Sequence, residues 1–360
     1  MHRRAFLKGA GAGFGVAAST FVPGAFADGP AIKWRLASSY PKSLDTIYGA
    51  AELLAERLRG ITGGKFQIRV FAGGDLVPGL QVMDAVQNGT VECGHTASYY
   101  YVGKNMAFAF DCAVPFGLTA RQQNAWMYFG GGIKLMRELF RQYNIVQFPG
   151  GNTGVQMGGW FRKEIKSLAD LKGLKMRIPG IGGQIMAKLG AVPQTLAGQR
   201  HLPLPGTGRP GRGGMGWALR RREAGLPQDR QALLLPGLVG RRSPAFLLRE
   251  PGQVERVARC LPGRLRGRLR RSQRQHAGGI RLQESPGLDA PDETGRPVAR
   301  LPEGHHGGRQ EGAFAMYDEE AARNAAFARI YGEWKKFRDT EIQWFKVAEA
   351  SYANFLYYSK

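Results

Sequence analysis

A chain of 360 residues with 43% hydrophobic content is long enough for two α/β lobes with cores of their own, which sets aside a disordered or fibrous polypeptide. A formal charge of +23 would ordinarily point to nucleic acid or an anionic membrane surface. The charge is unevenly placed, however: 22 arginines and 9 acids lie between Gln199 and Gln310, against 29 basic and 19 acidic residues in all the rest.

Arg3-Arg4-Ala5-Phe6-Leu7-Lys8 precedes a Gly/Ala-rich apolar stretch that ends at Ala25-Phe26-Ala27. That order of basic, apolar and small residues reads as a twin-arginine export signal spanning 1–27, with cleavage after Ala27 and a periplasmic mature chain. No later run reaches the ~18 to 20 apolar residues of a membrane span. Lys33 to Ala37 is a strand, and Leu44 to Arg59 places Ile47, Ala51, Leu54 and Leu58 on one helical face before Gly63-Gly64 stops it. Phe66, Ile68 and Val70 alternate with polar neighbours as a strand does. Leu80, Met83 and Val86 form a helical stripe, and Val91 to His95 is the next strand. Strand, helix, strand, helix, strand predicts α/β units with a parallel sheet. Cys93 and Cys112 read as buried thiols. Asn144 to Phe148 and Val155 to Phe161 are extended, Ser167 caps a short helix over Leu168 to Leu171, and Leu174 to Ile178 is a strand.

Past Gln199 the composition changes. Up to Gln310 there is no Lys, Tyr or Asn, while 12 of the 20 prolines fall inside. Neither period 2 nor period 3.6 persists, as in a basic linker or an Arg-rich nucleic-acid-binding arm, but the aromatic residues such an arm uses are nearly absent. A GC-rich gene read out of frame gives this composition. Gly214 to Leu226 can be encoded so that reading one nucleotide later yields Glu-Trp-Val-Gly-Pro-Tyr-Asp-Asp-Glu-Lys-Leu-Gly. Arg296 to Gln310 likewise decodes to Val-Gln-Leu-Arg-Ala-Phe-Pro-Lys-Ala-Ile-Met-Glu-Ala-Ala-Lys, the composition of a strand followed by a helix. The segment 199–312 is therefore read as frameshifted, and 199–310 is not expected to fold natively as written. From Ala313 order returns: Phe327, Ile330, Trp334 and Phe337 keep helical spacing, as do Ile342, Phe345 and Ala348, so residues 313–360 are expected to form long C-terminal helices.

Three clusters carry chemistry. In DLKGLKMRIPG, residues 170–180, Arg177 ends a strand just before Pro179-Gly180, where a guanidinium can meet a carboxylate with two parallel hydrogen bonds. The same spacing fits a surface salt bridge. In GGNTGVQMGGWF, residues 150–161, glycines flank Asn152 and Gln156, which offer uncharged donors and acceptors close to backbone. Tyr100 and Tyr101, in the run Tyr99 to Tyr101 beside Lys104, can supply an aromatic wall. An exported oxidoreductase is the rival by class, but there is no C-x-x-C-H and no strand-anchored G-x-G-x-x-G.

SSYPKSLDTIYGAAELLAERL, AGGDLVPGLQVMDAVQNGTVECGHTASYYYVGK, GGNTGVQMGGWFRKEI and DLKGLKMRIPG together resemble the solute-binding subunits of TRAP transporters, in the branch for 2-oxo acids, lactate and related monocarboxylates. The resemblance runs from Trp34 to Gly198 and resumes near Ala313. It implies a two-lobed, flytrap-like α/β protein, not an enzyme, with lobe I over 28–152 and lobe II beginning at 153–198. By that resemblance Arg177 clamps the ligand carboxylate, and Gln156 lies beside the ligand and a bound sodium or calcium ion. No organic cofactor is implied. The remaining metal ligands would come from the Glu-Trp-Val segment, which the decoded stretch resembles and which is written here as Gly214, Met215 and their neighbours. The implied partners are a small organic acid, TRAP membrane subunits and a second copy of the chain, with no nucleic acid.

Overall fold

The computed structural model describes residues 31–154, 159–161, 165, 167–196, 231–234, 244–249, 298–300 and 306–358. The export segment 1–27 and most of 199–305 lie outside the described residues. Strands β1 (Ile32–Ser38), β2 (Phe66–Phe71) and β3 (Cys93–Ala97) fall where the alternation predicts them and pair in parallel, Leu36 opposite both Val70 and Cys93. Between them run α1 (Asp45–Ile61) and α2 (Val82–Gln87). Period 2 divides β1 between two cores: Leu36 packs with Ala51 of α1, while Ala37 packs with Val82 and Val86 of α2. Asp45 and Arg59 sit at the ends of α1 that their charges favour, and Thr62 Oγ1 donates to Leu58 O at 2.7 Å to finish it.

Helices α3 (Ala120–Tyr128) and α4 (Gly132–Arg141) were not legible in the sequence. A Thr119/Gln122 capping box starts the first, and Phe129 to Gly131 separate the two. Strands β4 (Ile145–Pro149), β5 (Gly159–Phe161), β6 (Lys175–Arg177) and β7 (Val192–Gln194) follow, with a capped 3₁₀ turn at Leu168–Leu171 as expected and α5 (Gly180–Lys188) between the last two strands. Cys93 and Cys112 are buried thiols.

One expectation needs correcting. Within 199–310, three runs form strands: β8 (Gln231–Leu234), β9 (Pro244–Arg249) and β10 (Val298–Arg300). The average composition of the segment conceals these short apolar runs, Ala-Leu-Leu and Ala-Phe-Leu-Leu among them. Strand β9 lies antiparallel between β3 and β4, which gives a five-stranded sheet in the order β2-β1-β3-β9-β4. The second lobe holds a three-stranded sheet, β10-β8-β5, and the β6-β7 pair.

The C-terminal helices begin earlier than expected, at His306. Helix α6 (His306–Arg323) is followed by α7 (Ala325–Phe345), a π turn (Lys346–Ala350) and α8 (Ser351–Tyr358). Asn324 caps α7 by accepting from Phe327 N at 3.1 Å. Phe327, Tyr331 and Trp334 then pack around Phe110, all in one core with Trp126 and Phe140. The approach is close: a Cβ on Gly117 would lie 2.7 Å from Trp334 Cζ2, so a side chain there would drive α7 off the lobe. Tyr317 Oη and Arg338 Nε donate to the carbonyls of Pro115 and Phe116, at 3.1 and 3.0 Å, and bind both helices to the same turn. The second stripe behaves differently from the first. Ile342 and Phe345 are half-buried and Ala348 is exposed, because the helix runs off the end of the lobe.

Candidate functional site

Arg177 is the last residue of β6, whose pairing with β7 continues as Ile178 N donates to Gln194 O at 3.2 Å. The chain then turns at Gly180, with φ +69°, where a Cβ would meet Tyr99 Cβ at 3.1 Å. Only glycine satisfies both the left-handed backbone and that approach. Lys175, two residues earlier, stays exposed, while Arg177 is 1% exposed. Its Nε and Nη2 donate to Leu196 O at 3.2 and 2.8 Å, and Nη2 also donates to Tyr100 Oη at 3.3 Å. Tyr100 belongs to the first lobe, on a 3₁₀ turn (Ser98–Tyr101), so this guanidinium sits at the seam between the lobes. The N-terminus of α5 adds its partial positive charge beside it.

The adjacent tyrosine has another office. Tyr101 is buried, and its hydroxyl bonds Thr96 Oγ1 at 2.8 Å and accepts from Met83 N at 3.1 Å. Burial pushes its phenol well above the usual range. Structure thus brings Tyr100 to Arg177 and leaves Tyr101 in the lobe core. Lys104, placed beside the tyrosines by sequence, pairs instead with Asp84 at 2.8 Å. Asn152 is buried in the glycine-flanked crossing after β4, where its Oδ1 accepts from Gly154 N at 3.1 Å. Gln156 lies outside the described residues, as do Gly214 and Met215. Among the described residues, no group of three or more His, Cys, Asp or Glu side chains could hold a metal ion.

Asp111 is the buried acid that sequence reasoning passed over. It ends a 3₁₀ turn (Met106–Asp111) and is 2% exposed. Ser98 Oγ donates to its Oδ2 and Gln147 Nε2 to its Oδ1. Burial pushes its carboxyl up to about 7, against the opposing pull of the Ser98 hydroxyl. A lone acid in the apolar run MAFAFDCAV was the available signal.

The family model for bacterial extracellular solute-binding protein, family 7, matches residues 37–200. A monocarboxylate 2-oxoacid-binding periplasmic protein of Nostoc sp. is 41% identical over 354 residues, covering 91% of this chain and 89% of its own. A TRAP transporter solute-binding protein from Bordetella bronchiseptica, a dimer with calcium and picolinate in one site, superposes with a TM-score of 0.82 at 38% identity, covering 92% of this chain and 98% of that one. A TRAP periplasmic protein from Pseudoalteromonas atlantica, with sodium and pyruvate bound, gives 0.77 at 30% identity over 90% and 99%. One from Colwellia psychrerythraea, with calcium and pyruvate, gives 0.75 at 29% identity over 90% and 99%.

Proposed function

Because the chain belongs to the bacterial extracellular solute-binding proteins of family 7, we propose that it captures a small 2-oxo or 2-hydroxy monocarboxylate between its lobes and delivers it to TRAP membrane subunits. It is an extracytoplasmic binding protein rather than an enzyme. The observation that carries the ligand assignment is the Arg177 guanidinium, buried at the seam and held by Leu196 O and Tyr100. Such a pre-positioned guanidinium meets a carboxylate without having to be ordered first. Tyr100 borders the ligand, with Asn152 and Gln156 supplied by the crossing segment. A sodium or calcium ion, as in the relatives, would neutralise ligand oxygens. The described residues offer no acidic cluster for it, so Gln156 and the Glu-Trp pair decoded at Gly214 and Met215 would hold it. Export rests on the twin-arginine segment, with the mature chain starting at Asp28.

The segment 199–312 is a frameshifted reading. Two observations support this: the family match ends at residue 200, where the composition changes, and strand β10 followed by a helix from His306 occupies the stretch whose decoded sequence has strand-then-helix composition. In the frame-restored protein, pyruvate, lactate and related acids should raise the melting temperature. Each tenfold increase in free ligand above Kd adds about 1.4 kcal/mol to apparent stability. No shift across such a panel at millimolar concentration would remove the assignment.

Dimerisation has its own support. Trp344, Val347, Tyr352 and Leu356 are exposed along the C-terminal helix, on either side of Glu349, which Arg121 of α3 holds at 2.5 Å. Burying side chains of this size yields about 1.5–3 kcal/mol each, and the Bordetella relative is a dimer. The double change Trp344→Glu and Leu356→Glu should convert a dimer to a monomer by light scattering, with an unchanged melt of the lobe core. A dimer that persists places the interface elsewhere.

A further inference from the structure

The two donors to Asp111 come from opposite sides of the first lobe's working edge. Ser98 opens the 3₁₀ turn that two residues later presents Tyr100 to Arg177. Gln147 lies on β4, three residues before the glycine crossing at Gly150 that leads into the second lobe. Apart from this side-chain bridge, the two segments are separated in the sheet by β9, which pairs with both β3 and β4. The carboxyl sits among apolar residues and takes only neutral donors; no described cationic side chain reaches it. Charged or titratable groups on the neighbouring elements include Arg137 of α4, whose Nε donates to Gln147 O at 3.2 Å, His95 of β3, whose Nδ1 faces Ser38 Oγ at 3.2 Å, the adjacent Cys112, and Tyr331 of α7, whose ring lies 6.3 Å from that of Phe110. A buried carboxyl without a cation is costly to keep, so a role in stability alone is a weak reason for an acid there.

Resting on the ligand assignment above, we propose that Asp111 is a positioning residue for ligand capture: its carboxyl ties the turn bearing Tyr100 to the strand that begins the crossing, so that the two move as one body when the lobes close. Gln147 Oε1 is buried with no hydrogen-bond partner, and turning that amide would let it accept from a protonated Asp111. The tie therefore persists in a neutral form, with Ser98 still donating to Oδ2.

The test is hydrogen exchange on the full chain, which does not depend on ligand. Asp111→Ala should raise exchange by about tenfold or more in both 98–101 and 147–154, the scale of a lost hydrogen bond to a charged group, while α1 stays as in wild type. Asp111→Asn, which can bridge the same two partners, should restore protection in both segments together. If Asp111→Ala does not fold, Ser98→Ala cuts one arm and must still loosen both segments. Exchange that rises in one segment only, or in neither, overturns the tie.

In the frame-restored protein, Asp111→Ala should weaken pyruvate binding about tenfold and Asp111→Asn should recover most of the loss; equal affinities in all three overturn the positioning role. The folded carboxyl titrates above its unfolded value of 3.8, so its contribution is present at low pH and lost as pH rises toward about 7. The melting temperature of wild type relative to Asp111→Asn should accordingly fall between about pH 4 and 7 and level off above, and a flat difference counts against the carboxyl. A wild type that binds no acid refutes the ligand assignment, while the exchange result still decides the tie.

Discussion

Replacing Arg177 by lysine is expected to weaken monocarboxylate binding by about 1.5–3 kcal/mol, roughly 10- to 150-fold, measured by calorimetry on the frame-restored protein. The charge is kept, so a purely electrostatic attraction would survive. What is lost is the fork. Arg177 spends Nε and Nη2 on Leu196 O and Tyr100, which fixes the guanidinium plane before any ligand arrives. An ammonium on a flexible stem cannot reproduce those contacts or hold a fixed plane of donors, so it would meet a carboxylate as a mobile point charge. Burial sharpens the effect, because a lysine placed at a 1% exposed position must find hydrogen-bond partners or neutralise. Unchanged affinity would mean that the ligand carboxylate is held elsewhere and that Arg177 only braces the seam.

Local periodicity reveals the first lobe well because its strands alternate and its helices are amphipathic. β1, β2, β3, α1 and α2 lie within a few residues of where period 2 and period 3.6 put them. Helices α3 and α4 escaped because their stripes are short and Gly130 to Gly132 fall at their junction, where glycine ordinarily marks a loop. No local pattern announces that a strand at 244–249 inserts between β3 and β4, since that pairing is decided by which edge is open after the lobe has formed. At the site, sequence nominated Tyr100 and Tyr101 equally. Consecutive residues of a 3₁₀ turn point about a third of a turn apart, so one reaches Arg177 and the next faces Thr96 and Met83. Arg177 itself was legible as a strand-end arginine before Pro179-Gly180, but its burial depends on Leu196 and Tyr100, which are distant from it in sequence.

Expressed side by side, the written and frame-restored chains should differ more than any point variant: the restored protein binds pyruvate and melts cooperatively, and the written one does neither. Ordering backbone costs about 1–2 kcal/mol per residue, which a segment of Arg, Gly and Pro can offset only where apolar residues cluster. Within 199–305 the strands β8, β9 and β10 are such clusters, yet each is six residues or fewer. The helices from His306 on keep their contacts with Phe110, Pro115 and Phe116, all in the first lobe, although that lobe's sheet takes β9 of the segment between β3 and β4. Trypsin should therefore cut the written chain first at the arginines after Arg200 and leave an N-terminal fragment ending near that residue. On the frameshift reading, restoring the frame would replace those arginines and return a Glu-Trp pair near positions 214 and 215, adding an acid to described residues that hold no metal-binding group of three or more His, Cys, Asp or Glu. A written chain that resists trypsin, melts in one cooperative step and binds the same acid as tightly would establish the Arg-rich segment as genuine structure and end the frameshift interpretation.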